Sequence, residues 1–194
     1  MSALALDPEQ DAARISARLM ARAAGVGNDQ AFASMIATAA VGGGALPPWL
    51  GLDPAAFRCL LEHHFPGTTA HGLFDWVGGT RIADERVDEW NDLLRLLLMH
   101  KAGDSPSEVW MAHVVATGCL ANNHLWQDLG LWDRGELTAL MRRNFPSLAV
   151  RNVHDMKWKR FLYKQLCEAE GIYTCRAPSC EVCTDYYACF GPES

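Results

Sequence analysis

Four cysteines crowd into the last twenty residues of the chain, Cys175, Cys180, Cys183 and Cys189, at the spacing C-x4-C-x2-C-x5-C. Pro178, Gly191 and Pro192 keep this stretch from settling into a long helix, so the four thiols can turn inward on one centre. Thiolates are soft ligands that select zinc, copper(I) or iron–sulfur clusters. Structural zinc sites usually join two short Cys-x-x-Cys knuckles across a longer spacer, and here only Cys180 and Cys183 form such a knuckle. The opening C-x4-C-x2-C equals the first three positions of the plant-type ferredoxin pattern, whose fourth cysteine lies far downstream. Spacing therefore favours an iron–sulfur centre and leaves structural zinc and thiol redox chemistry open. Cys167, just upstream, is either a further ligand or a small buried hydrophobe.

The composition restricts what such a centre could serve. Seven cysteines, an odd number with four at one end, and an N-terminus in which charges interrupt every apolar run, predict a cytoplasmic protein with metal-binding thiols, no disulfide framework and no membrane span. A net charge of −6 argues against nucleic-acid binding. The charge is unevenly placed: between Arg134 and Lys164 eight lysines and arginines face only Glu136 and Asp155. A basic block directly before a thiolate cluster is a candidate site for a small anion or an acidic partner surface.

The elements that must position these residues read as helices. Asp7-Pro8 opens the first, which Gly25 stops; Asp29 to Val41 forms the second, ended by Gly42-Gly43-Gly44; Asp53-Pro54 opens the third, closed by Phe65-Pro66-Gly67. An amphipathic helix from about Ala83, with Trp90, Leu93, Leu94, Leu97 and Leu98, is expected to be the core helix. Ser105-Pro106-Ser107-Glu108 caps the next, Asp133 to Glu136 another that ends at Phe145-Pro146, and a last long helix spans about Val153 to Glu170. No strand periodicity appears, so the fold class is all-α: about seven helices over residues 1–171, then an irregular Cys-rich tail over 172–194.

The chain also matches itself at an offset of 79, with Ala33, Ala37, Thr38, Leu46, Leu50, Gly51 and Leu52 falling on identities in the second copy. After one inserted residue Leu60, Phe65 and Pro66 meet Leu140, Phe145 and Pro146. Two pseudo-repeats, about 29–100 and 105–170, are expected to pack together, with Trp90 and Trp158 as a further equivalent pair. The copies diverge where Ala40, Gly43, Gly44 and Ala45 become Cys119, Asn122, Asn123 and His124. That polar group is either a self-satisfied turn with His124 capping a helix or an accessory site in which Cys119 and His124 approach a metal.

Met156 to Cys167, the four-cysteine spacing ending in Cys189-Phe-Gly-Pro192, and Asn123-His-Leu-Trp-Gln-Asp-Leu-Gly130 together resemble the NifQ family of nitrogen-fixation proteins. The resemblance implies a molybdenum-handling iron–sulfur protein rather than an enzyme, with Cys175, Cys180, Cys183 and Cys189 as the cluster ligands. It would supply molybdenum for the iron–molybdenum cofactor of nitrogenase, with the cofactor-assembly scaffold and the nitrogenase iron protein as partners. Molybdenum enters as the molybdate oxyanion, so Lys157, Arg160 and Lys164, spaced i, i+3 and i+7, are expected to guide it. The alternative reading is a helical interaction module whose tail is locked by a structural zinc on the four cysteines.

Overall fold

The computed structural model describes residues 8–70, 73, 84–169 and 186–191. Among these the fold is all-α. Seven helices of eleven residues or more dominate: α1 (Pro8–Met20), α2 (Asp29–Ala40), α3 (Pro54–His64), α4 (Val87–Met99), α5 (Pro106–Cys119), α7 (Arg134–Asn144) and α9 (Trp158–Ala169). Short helices α6 (Leu125–Asp128), α8 (Pro146–Ala149) and α10 (Tyr186–Phe190), with 3-10 turns at Pro48–Gly51 and Asp84–Arg86, complete them.

The punctuation read from sequence operates as expected at three starts. Asp53 accepts from the amides of Ala55 and Ala56, Ser105 and Glu108 close a reciprocal capping box, and Asp133 accepts from Glu136 N–H. The last long helix begins five residues later than expected, at Trp158. Asn152 causes the delay: its side chain accepts from Met156 N–H (2.8 Å) and donates to Met156 O (2.9 Å), holding a loop in which Asp155 takes φ 52°. Arg134 pins this loop to α7 through Asp155, Nη2 to Oδ1 3.0 Å.

The centre of the molecule is not α4. Phe32, Ala33, Met35, Ile36 and Ala37 on α2, and Met111, Ala112, Val114, Val115 and Ala116 on α5, have no exposed surface, whereas α4 buries only Leu93, Leu96 and Leu97. A strongly amphipathic helix has a wet face and so belongs at the edge; helices that are apolar all round occupy the middle. Small side chains let α2 and α5 be covered on every side.

The repeat is visible in the helix bounds. α1 and α4 are offset by 79 residues at both ends, and α3 and α7 by 80. The two caps Phe65 (φ −137°, ψ 65°) and Phe145 (φ −134°, ψ 56°) share one conformation. On these bounds α4 opens the second unit as the counterpart of α1 rather than closing the first, so the units begin earlier than residues 29 and 105. Trp90, within α4, and Trp158, which opens α9, are then not equivalent.

Contacts between the units come in matching pairs. Thr38 Oγ1 donates to Gly130 O (2.8 Å), and a Cβ on Gly130 would stand 2.7 Å from that of Thr38; a Cβ on its counterpart Gly51 would stand 2.9 Å from Thr117 Cγ2. Asn28 Nδ2 donates to Asn144 Oδ1 (2.7 Å), and the equivalent positions carry Ser107 and His64, joined at 3.0 Å. Asn28 also donates to Ser107 Oγ (2.8 Å), and His64 Nδ1 donates to Asp29 Oδ1 (2.7 Å). Since Nδ1 holds the proton, Nε2 accepts from the Ser107 hydroxyl. This Asp29–His64–Ser107 order matches that of a serine hydrolase triad, but His64 is fully buried and no cleft reaches it among the described residues. Its role is to satisfy polar groups at the junction of the units.

Burial holds the pKa of His64 below its ordinary value, outweighing the hydrogen bond to Asp29, and desolvation shifts His100 and His113 the same way. Folded His64 is therefore neutral, while the unfolded chain takes up a proton below about pH 6.5. Stability is then complete above that pH and falls as the pH drops beneath it. Denaturant titrations at pH 7.5 and 5.5 should show the decrease, and His64→Asn, which installs the residue of the equivalent position, should flatten it in part.

Candidate functional site

The turn from α5 into α6 and the start of α9 face each other across a cleft of about 520 Å³. One wall is Asn122, Asn123, His124 and Gln127; the other is Lys157, Lys159 and Arg160, with Leu125, Leu137 and Trp158 as floor. His124 occupies the N-cap position of α6, and its N–H donates to Gln127 Oε1 (3.2 Å). Trp158 anchors the opposite wall, packing edge-on against Phe161 and donating Nε1 to Thr138 Oγ1 (3.2 Å).

Asp128 braces the two walls. It is fully buried, accepts from the amide of Asn123 (3.0 Å) and from Asn123 Nδ2 (3.2 Å), and is ion-paired with Lys159 Nζ, which also donates to Ala121 O (2.7 Å). The first unit has Trp49 at the position of Asp128 and glycines opposite the asparagines, so the brace belongs to the second unit alone.

Helix α10, the described part of the cysteine tail, meets the cleft at its basic wall. Cys189 lies on α10, and its carbonyl accepts from Lys157 N–H (2.8 Å), while Lys157 Nζ reaches Tyr187 O at 3.4 Å. Gly191 follows so closely on the helix that a Cβ there would stand 2.5 Å from Tyr187 O. Cys175, Cys180 and Cys183 lie outside the described residues.

Of the other expected site residues, the structure brings together His124, Lys157 and Arg160 in the cleft. Lys164 sits elsewhere, beside Glu168 (3.6 Å) in a separate depression with Arg151 and Phe190. Cys119 is a core residue whose thiol desolvation pushes up to about 12, so it stays protonated at neutral pH. Cys167 is half-buried on α9. Sequence reading does not single out Lys159, Gln127 or Asp128. Gln127 and Asp128 nonetheless carry a signal, since they replace Pro48 and Trp49 of the first copy as His124 replaces Ala45, and Lys159 stands across the cleft from them.

A scan against family models matches the NifQ model over residues 31–191, a stretch that holds every residue of the cleft and all four tail cysteines. The chain belongs to the NifQ family. It is 46% identical over 158 residues to Protein NifQ of Azotobacter vinelandii, covering 76% of this chain and 80% of that one. It is 52% identical over 158 residues to Protein NifQ of Klebsiella pneumoniae, covering 77% and 90%, and 33% identical over 155 residues to that of Rhodobacter capsulatus, covering 79% and 82%. No solved structure matches.

For this NifQ-family chain the described residues contain no group of three or more His, Cys, Asp or Glu placed to hold a metal ion. Neither do they include a helix long and apolar enough to cross a membrane.

Proposed function

We propose that the chain acts in nitrogen fixation as an iron–sulfur molybdenum carrier, donating molybdenum for assembly of the nitrogenase iron–molybdenum cofactor. Cys175, Cys180, Cys183 and Cys189 would hold the cluster, and four soft thiolates within fifteen residues fit such a group. The observation that carries this reading is the complete C-x4-C-x2-C-x5-C set inside the stretch matched by the family. When bound, the cluster would supply sulfide, a soft ligand for molybdenum. The chain's own residues hold α10, which carries Cys189, against the start of α9, where Lys157 is bonded to the carbonyls of Cys189 and Tyr187. Molybdate and molybdenum are cargo here, and no organic substrate is turned over. The partners on this reading are the cofactor-assembly scaffold and the nitrogenase iron protein.

Anaerobic purification followed by an absorption spectrum and metal analysis tests the proposal. Brown protein containing iron and sulfide, which takes up molybdenum, is the expected result, and Cys183→Ser should abolish the colour while leaving the helical circular dichroism. Colourless protein with one zinc per chain would replace the carrier by a helical interaction module with a structural zinc held by the four cysteines.

A further inference from the structure

We infer that the cleft between the α5–α6 turn and the start of α9 is a binding subsite for a small tetrahedral oxyanion. The function proposed above identifies the physiological anion as molybdate; the existence of the site rests on the cleft alone.

Charge is the first argument. Lys157, Lys159 and Arg160 line the cleft, and no carboxylate does among the described residues. Lys159 is neutralised by Asp128 beneath the wall, whereas neither Lys157 nor Arg160 has a carboxylate partner among the described residues. Two cations with no carboxylate partner among the described residues set up an attractive field for an anion and a repulsive one for a metal cation.

Donor chemistry is the second. The opposite wall presents the amides of Asn122 and Gln127 and the imidazole of His124, groups that can donate to an oxygen while the cations neutralise it. The positive end of the α9 dipole adds to them, since the cations of its first turn, Lys159 and Arg160, are in the wall and that turn contains no acidic residue. Lys159 is a positioning residue: tied to Asp128 and Ala121 O, it keeps the two walls at a fixed separation.

Size and place are the third. At about 520 Å³ the cleft has room for an anion that keeps part of its hydration shell, which suits a ligand that must be released. Lys157 belongs to both the cleft and the tail, because its backbone N–H is bonded to the carbonyl of Cys189. An anion held here would wait one residue away from the element that carries the fourth thiol.

Equilibrium dialysis of molybdate against the anaerobically purified full chain tests the inference. The wild type is compared with the Lys157→Gln/Arg160→Gln double variant, the Arg160→Gln single variant and Cys183→Ser. The double variant should bind molybdate about tenfold more weakly or worse, with unchanged circular dichroism and iron content, the loss expected for two charge-assisted contacts. Sulfate should compete, because nothing in the cleft distinguishes one tetrahedral dianion from another. Cys183→Ser should keep anion binding while losing iron. Arg160 is exposed, so its single variant decides the matter should the double variant misfold. Unchanged molybdate affinity in the charge variants, with loss of affinity in Cys183→Ser, would overturn the subsite and assign the anion to the thiolates. A wild type that binds molybdate in the cleft yet contains no iron would instead remove the carrier function and leave the subsite standing. Retained molybdate affinity in the double variant together with lost binding of an acidic peptide would make the wall a protein-docking surface and sink the subsite.

Discussion

Replacing Asp128 by alanine is expected to lower the melting temperature by on the order of 10 °C and to weaken oxyanion binding in the cleft. The carboxylate has no exposed surface, and Lys159 retains only 16% exposure of its side chain. Removing one partner of such a pair strands the other charge, which costs about 3 kcal/mol at the lower end of the usual range because Lys159 keeps some contact with water. Asn123 would lose both acceptors at the same time, freeing the wall it belongs to. The double variant Asp128→Ala/Lys159→Met should recover much of the stability, since no charge is then left buried, but not the oxyanion affinity. Thermal melts of the two singles and the double form a cycle that separates the ion pair from its neighbours. Additive melting shifts would show that the brace does not exist.

Asp29→Ala should be comparably damaging, at about 3 kcal/mol, for a different reason. Asp29 accepts from the fully buried His64 and, through its other oxygen, from the amides of Gly25 and Val26, both at 2.8 Å. The two amides lie near the surface and can turn to water; His64 cannot, and its orphaned N–H carries most of the cost. Asp53→Ala removes two amide bonds from an exposed helix start and should cost only about 1 kcal/mol. Denaturant midpoints at constant m-value measure both. Equal losses would mean that the buried junction contributes no more than an ordinary helix cap.

The helices were legible because their ends are marked by residues with a local mechanism. Asp53, Ser105 and Asp133 cap in the structure as they read in the sequence, and Phe65-Pro66 and Phe145-Pro146 stop the chain with one geometry. The start of α9 is masked in the sequence because the Asn152 side chain competes for a backbone that is otherwise helical in pattern. The centre was harder to see. Apolar stripes identify helices with a wet side, so α4 stands out, while the alanine-rich α2 and the threonine- and glycine-bearing α5 lack the contrast that a periodicity argument needs. At the site, the list of cations was legible and their grouping was not. Lys164 shares the helical spacing of Lys157 and Arg160, yet Lys157 precedes the helix, and tertiary packing sends the third residue to another face. Buried Asp128 could be found only by asking where the two copies differ.

The matched contacts Thr38–Gly130 and Thr117–Gly51 have a consequence for stoichiometry. A dimer of two identical half-length chains would put the same turn at both ends of its axis, and any residue gained by one would be gained by the other. Fusing the halves into a single polypeptide removes that obligation. Here one turn has kept glycines and is bonded to the other unit through Ala45 N–H on Asp128 O, while its twin has acquired amides, an imidazole and a buried acid. On the proposed reading the molecule is built twice and equipped once: among the described residues there is one oxyanion cleft, set beside the helix that carries Cys189, and cargo would be counted out in ones.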